Sequence, residues 1–287
     1  MSASGGRSAV FIATVVAAER LTKQSLIEVL PAAASAEQVA DTVFRLRFAG
    51  DPAMARRALE QLPADVFVRP IDAPIPRMLV ADMDSTMITV ECIDELADYA
   101  GVKPQVAEIT ERAMRGELDF AGSLRARVAL LKGLDVSVLA RCYEERVRIM
   151  PGARTLIQTL KSLGAWTLLV SGGFTYFADR VAAEIGFDEA RANVLGVSGG
   201  KLDGTVAEPI LGAEEKRAAL IGKGFDTAAT IAIGDGANDI PMLQAAGLGI
   251  AYHGKPKVVG AAGAAVRFGD LSVVLHGLGI APADWRN

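Results

Sequence analysis

The chain has 287 residues, 51% of them hydrophobic and 22% charged, which is enough apolar material for a large core and excludes an extended disordered chain. The formal net charge of −4 offers no basic field for a phosphodiester backbone, so nucleic acid is not an expected partner. Two histidines and two widely separated cysteines, Cys92 and Cys142, exclude a centre built from several histidines and give no sign of a structural zinc site or a disulfide framework.

In chain order, the first apolar run predicts a strand near Ser8–Ala17. Arg7 ahead of Ala9–Ala18 could imitate a signal peptide, but the helical pattern of Leu21–Leu30 that follows would pack back on an intact first strand, so a folded strand is favoured. Further strands are expected near Thr42–Phe48 and Asp65–Arg69, with a helix near Pro52–Leu62 between them. Together these form a small α/β module, an open sheet with helices on one face. Three prolines within Pro70–Pro76 then predict a stiff linker and a boundary near residue 74. No apolar stretch reaches the roughly 18 to 20 residues that span a bilayer, so a cytoplasmic protein with no membrane partner is expected.

Beyond the linker, Met78–Ala81 reads as a buried strand of a parallel sheet, and Asp82-Met83-Asp84-Ser85-Thr86 follows it directly. Four helices are expected at Cys92–Tyr99, Lys103–Met114, Phe120–Leu131 and Val136–Val147, separated by Gly101, Gly116 and Gly133. Strand-helix alternation then resumes. Trp166–Val170 leads into Ser171-Gly172-Gly173, and Asn193–Glu208 holds a hairpin around Gly199-Gly200-Lys201. Thr230–Ile233 leads into Gly234-Asp235-Gly236-Ala237-Asn238-Asp239, with Lys216 placed between the second and third of these strand ends.

Ligands bind at the carboxyl ends of strands in such sheets. A carboxylate there is ionised at neutral pH and can attack phosphorus or hold a divalent metal. Taken singly, Asp82–Thr86 would suit an ordinary turn, and Lys216 a solvated surface lysine. Two decoys fail on context. Gly196-Val197-Ser198-Gly199-Gly200 fits the hydrolase elbow but falls in the hairpin. Gly234-Asp235-Gly236 begins like a dinucleotide fingerprint, yet Asp239 occupies the position of the third glycine.

The ordered set Asp-x-Asp, Ser-Gly-Gly, lysine and Gly-Asp-Gly-x-Asn-Asp resembles the haloacid-dehalogenase-like phosphotransferase superfamily. The resemblance implies a Rossmann-like α/β core at 75–90 and 151–287, a helical cap at 91–150 seated over the active site, and an ACT-like module at 1–74. That module is similar to amino-acid-binding regulatory domains, although it carries no ligand motif, and dimerisation or stability serves equally well as its role. The resemblance further assigns Asp82 as nucleophile and Asp84 as general acid. Lys216 offsets charge at Asp82, while Ser171 and the Gly172 amide hold phosphate oxygens. Mg²⁺ is the implied cofactor, on the carboxylates of Asp82 and Asp235 and the backbone carbonyl of Asp84, with Asp239 orienting that shell and Asn238 completing the contacts to substrate.

Val90–Glu95 and Ser123–Val128 look like the cap segments of superfamily members that act on O-phosphoserine. That likeness puts Glu91 on the substrate ammonium and Arg127 on its carboxylate, although exposed helix charges are the usual state of such residues. Met114 and Phe120 are further candidates for the pocket wall. The expected partner is therefore a small molecule, O-phosphoserine, in the last step of serine biosynthesis, with a homodimer as one expected assembly. Two alternatives stand: transfer of the phosphoryl group to another alcohol such as homoserine, and a catalytically silent amino-acid-binding protein.

Overall fold

The apolar runs become strands of one ten-stranded sheet. The computed structural model describes residues 10–287, so Ser8 and Ala9 of the first predicted strand lie outside the described residues. The N-terminal part holds β1 (Val10–Ala17), α1 (Lys23–Val29), β2 (Ala33–Ala40), β3 (Val43–Ala49), α2 (Pro52–Leu59) and β4 (Ala64–Pro70). Thr22 caps α1, and Asp51 caps α2 by accepting the Ala53 amide at 2.8 Å, with Pro52 in the first turn.

The body continues with β5 (Met78–Ala81), then α3 (Cys92–Tyr99), α4 (Lys103–Met114), α5 (Phe120–Ala129) and α6 (Ser137–Arg146), which form the cap. It proceeds through α7 (Ala153–Ser162), β6 (Trp166–Phe174), α8 (Thr175–Ile185), β7 (Glu189–Asn193), β8 (Leu195–Ser198), β9 (Lys201–Val206) and α9 (Ala213–Ile221). It ends with β10 (Thr230–Gly234), α10 (Ile240–Ala245), β11 (Leu248–Tyr252), α11 (Pro256–Ala261), β12 (Ala264–Val266) and α12 (Val273–Gly277). No helix among the described residues is long and apolar enough to cross a membrane.

The strand order is β2-β3-β1-β4-β12-β11-β10-β5-β6-β7, parallel from β12 to β7 and antiparallel from β2 to β12. After β5 the chain moves outward to β6 and β7, and later returns on the other side to β10, β11 and β12. The order therefore reverses between β5 and β10, the position in a parallel sheet where two strand ends diverge and leave a crevice. Register sharpens the crevice: Ala81 is level with both Ile233 and Leu169, so the residues that follow each strand emerge side by side.

The N-terminal part departs from its expected form in three respects. β2 is a fourth strand; its sequence AASAEQVA is small and polar, and as an edge strand it shows no alternating buried face. Its sheet is also not separate, because β4 pairs with β12 at Val66 and Ala265. Finally, helices cover both faces rather than one: α1 and α2 pack on one side, and α12 packs on β1 and β4 from the other, with Gly277 against the Phe67 ring.

Side chains fasten the seam between the two parts. The Asp65 carboxylate, 1% exposed, accepts the amides of Arg267 (2.6 Å), Phe268 (3.1 Å) and Gly269 (2.8 Å). Arg56 donates to the carbonyls of Ala262 and Val259, and Arg69 to that of Leu278.

Candidate active site

Four loops meet at the crevice. Asp82 follows β5 and is 6% exposed; its amide donates to the Ile233 carbonyl at 2.9 Å, and its Oδ1 accepts the Met83 amide at 2.8 Å. Lys216, wholly buried on α9, places Nζ 2.6 Å from Asp82 Oδ1 and 2.7 Å from Asp239 Oδ1. The other Asp239 oxygen accepts the Gly236 amide at 3.0 Å. Gly234 lies so close to this carboxylate that a Cβ there would stand 2.4 Å from it. Asp235 turns toward the first loop, where Thr86 Oγ1 donates to its Oδ1 at 3.0 Å.

Carboxylate oxygens of Asp82, Asp235 and Asp239 lie within 4.8 Å of one another. Three buried or half-buried carboxylates meet one ammonium, which pairs with Asp82 and Asp239 but not with Asp235. Burial, then Asp239, pushes Asp82 well above the ordinary carboxylate range, against the pull of Lys216. Burial and Asp239 raise Asp235 to about 6. Burial opposes the charge on Lys216, but its two carboxylate partners outweigh that and hold it protonated, above its usual range. A cluster with this surplus of negative oxygens fits a hard divalent cation.

Asp84 sits two residues on, half-buried, with Oδ1 accepting the Cys92 amide at 3.2 Å. Burial and the neighbouring Glu91 lift it to about 7, so it carries a proton for part of the time at neutral pH. Between Asp84 and Glu91, Ser85 takes φ = 54°, a conformation costing a side-chain-bearing residue on the order of 1 kcal/mol. That turn brings its Oγ to Glu91 Oε1 at 2.7 Å and folds the start of α3 back over the first loop.

The second loop interrupts its own ladder. β6 pairs with β7 up to Val170 and again only at Phe174, which releases Ser171-Gly172-Gly173 from regular pairing. Ser171 Oγ accepts the Gly173 amide at 2.8 Å. Both glycines are required by proximity: a Cβ on Gly173 would stand 2.7 Å from Asp84 Oδ2, and one on Gly172 would stand 2.8 Å from the Phe120 ring. Phe120 begins α5, whose first turn is held by Asp119 accepting the Gly122 amide at 2.6 Å. The same ring reaches Gly212, at the start of α9, so one cap side chain touches both the Ser-Gly-Gly loop and the start of the helix that carries Lys216.

Arg127 and Arg125 share α5 but not a fate. Arg125 is exposed and paired with Glu208 at 2.5 Å. Arg127 is half-buried, makes only a long bond to the Ser123 carbonyl at 3.4 Å, and has no carboxylate salt bridge among the described residues. Burial draws its pKa down, while Asp94, Glu91 and Asp84 act from the site side to raise it. Asn238 folds back over Gly236 in the third loop. Met114 is 68% exposed at the end of α4.

Two residues escaped the sequence analysis. Thr86 lay inside the first motif, so its hydroxyl could have been found there. Asn193 carried no signal: it ends the short strand β7, is 3% exposed, and donates Nδ2 to the carbonyls of Gly172 (2.9 Å) and Leu211 (3.2 Å). Its Oδ1 accepts the Leu211 amide at 2.7 Å. It ties the Ser-Gly-Gly loop to the segment that leads into α9 and Lys216.

A buried carboxylate paired with a buried lysine, a glycine loop released from its ladder and an acidic cluster at a switch point suit a phosphoryl-transfer centre. Residues 76–247 match the family described as haloacid dehalogenase-like hydrolase, and the chain belongs to that family. It is 48% identical over 209 residues to a phosphoserine phosphatase of Polaromonas sp. (strain JS666), a match spanning 70% of this chain and 89% of that one. The crystal structure of a probable phosphoserine phosphatase from Vibrio cholerae in unliganded form superposes with a TM-score of 0.77 at 35% identity, covering 96% of this chain and 88% of that chain. A structure described as a phospho-aspartyl intermediate analogue of phosphoserine phosphatase aligns at 37% identity with a TM-score of 0.66, covering 72% of this chain and all of its own.

Proposed function

We propose that this chain hydrolyses O-phosphoserine to serine and phosphate through a phospho-aspartate on Asp82. The observation that carries the reading is the contact of Asp82 with Lys216 beside the ladder-free Ser171–Gly173 amides, within reach of a half-buried Asp84 that can hold a proton. Asp82 attacks phosphorus, and the bond to the serine oxygen breaks as Asp84 gives that oxygen its proton. The acyl phosphate is then attacked by water, whose proton returns to Asp84, and phosphate leaves. Dividing one difficult hydrolysis into two easier displacements is the advantage of a covalent route.

Lys216 stays charged throughout, and it fixes the Asp82 oxygen not used for attack. Ser171 Oγ and the Gly172 and Gly173 amides suit phosphoryl oxygens, because small residues let backbone N–H groups approach an oxyanion. Mg²⁺, held by Asp82, Asp235 and the Asp84 carbonyl, would supply positive charge where the phosphoryl group bears its negative charge. Asp239, already engaged by Lys216 and Gly236, serves better to orient this group than to join it. Glu91 and Arg127, near enough for their charges to act on each other, suit the ammonium and carboxylate of a zwitterion.

The test is phosphate release from a panel of phosphorylated amino acids, sugars and nucleotides with Mg²⁺ present. Preference for O-phosphoserine is expected. Equal turnover across the panel, or release only when an alcohol acceptor is added, would overturn the reading.

A further inference from the structure

Far from the catalytic loops, a cavity of about 250 Å³ opens between the N-terminal sheet and α12. Its walls are Ile12 and Thr14 of β1, Arg45 of β3, Arg69 at the end of β4, and the turn Leu278–Gly279 after α12. Ile12 and Leu278 give it an apolar side, whereas Arg45 and Arg69 give it two guanidiniums. Neither arginine forms a carboxylate salt bridge among the described residues.

Arg69 uses its NH1 and NH2 groups on the carbonyls of Leu278 (3.3 Å) and Pro74 (2.8 Å), which holds the guanidinium at the wall with donors remaining. Arg45 makes no side-chain hydrogen bond among the described residues. Its Nη2 approaches Gly279, where a Cβ would stand 3.8 Å away. The positive charge is felt locally: after burial, Arg45 is what keeps the neighbouring His276 below its ordinary pKa. Thr14 is 2% exposed, lines the same space, and its hydroxyl likewise has no partner among the described residues.

Two guanidiniums and a hydroxyl line a cavity with no acid among its walls, so an anion is the complementary ligand, and Ile12 and Leu278 beside them offer contact to a carbon skeleton that a bare inorganic ion lacks. We propose that this cavity binds a small organic carboxylate, at a site separate from the catalytic one. The carboxylate would accept from Arg45 and Arg69 with charge-assisted bonds, the strongest class available to it. Because its walls come from both β1–β4 and α12, a bound ligand would also clamp the N-terminal part onto the body and raise the stability of the whole chain by mass action.

Calorimetric titration of the full chain with succinate, with the neutral succinamide and with inorganic phosphate tests this, alongside thermal melting. Saturable binding of one succinate per chain is expected, with a rise in Tm and no binding of succinamide. Arg45→Gln, which loses no contact in the free protein, should weaken succinate about 10-fold or more, the equivalent of one charged hydrogen bond. Thr14→Val, of the same shape, should weaken it less and gives a second variant should the first fold poorly. Arg127→Ala should leave succinate binding unchanged, which separates this site from the catalytic cap. Absence of succinate binding at about 10 mM, roughly ten times the dissociation constant of a weak, ~1 mM site, would overturn the proposal. So would equal binding by succinamide, binding unaffected by Arg45→Gln, or phosphate binding that Arg45→Gln abolishes while succinate binding persists.

Discussion

At the scale of single residues, the site divides into groups that react and groups that hold them. Asp82→Asn keeps the size of the side chain but removes the nucleophilic carboxylate, so turnover should fall by about 10³-fold or more, with the circular dichroism spectrum unchanged. Labelled phosphate trapped by acid quench on the parent chain and absent from the variant checks the covalent step. Arg127→Ala belongs to recognition instead. It should lower kcat/KM for phosphoserine about 10- to 150-fold, a loss of roughly 1.5 to 3 kcal/mol, and leave phosphoethanolamine, which lacks the carboxylate, almost untouched. Equal losses on both substrates would move Arg127 to the phosphate. Asn193→Leu should reduce kcat more than it raises KM, because it frees the Gly172 carbonyl and lets the Ser-Gly-Gly loop drift while leaving the cap intact; comparing the two constants checks this. Asp82, Asp84 and Asp235 stood out in the sequence because each is a carboxylate just beyond an apolar strand. Asn193 was not, since a buried amide that joins two loops depends on which segments meet in space, and no local pattern of residues encodes that.

At the scale of elements, the parallel strands and cap helices followed from their apolar periodicity, and their boundaries differ from expectation by a few residues. Phe120–Leu131 ends two residues early as α5, and Trp166–Val170 runs on to Phe174 because pairing resumes beyond the irregular loop. β2 was missed for a physical reason: an edge strand of small and polar residues has no buried face to betray it, and only its ladder with β3 makes it a strand. The acidic cluster is a product of this level too, because strand register sets Ala81 beside Ile233, so that Asp82 and Asp235 emerge from adjacent strand ends one residue out of step. Removal of divalent metal by a chelator should therefore silence the enzyme, and Mg²⁺ should restore it, with Ca²⁺ a poor substitute given its larger and looser coordination. Full activity after verified removal of metal would contradict the role given to Asp82 and Asp235.

At the scale of the whole molecule, the proline-rich segment separates less than its composition suggested, since the sheet runs on through β4 and β12 and α12 lies beneath the first strands. The seam should be measurable by itself. Asp65→Ala would leave three backbone amides without their acceptor, so unfolding free energy should drop by about 2–4 kcal/mol, while kcat stays near that of the parent. Denaturant titration with an activity assay at low denaturant checks both halves of this. A fragment beginning at residue 75 should keep every reacting group but expose the inner face of α12 and the edge of β12, and it should be less soluble than the full chain. Asp65 and Arg267 are 202 positions apart, so their bond closes a very long loop. Contacts of such separation are costly to form before the intervening chain is compact. During synthesis, the Phe67 side of the first sheet therefore stays bare until α12 has been made, and the seam works as a clasp that waits for the end of the chain.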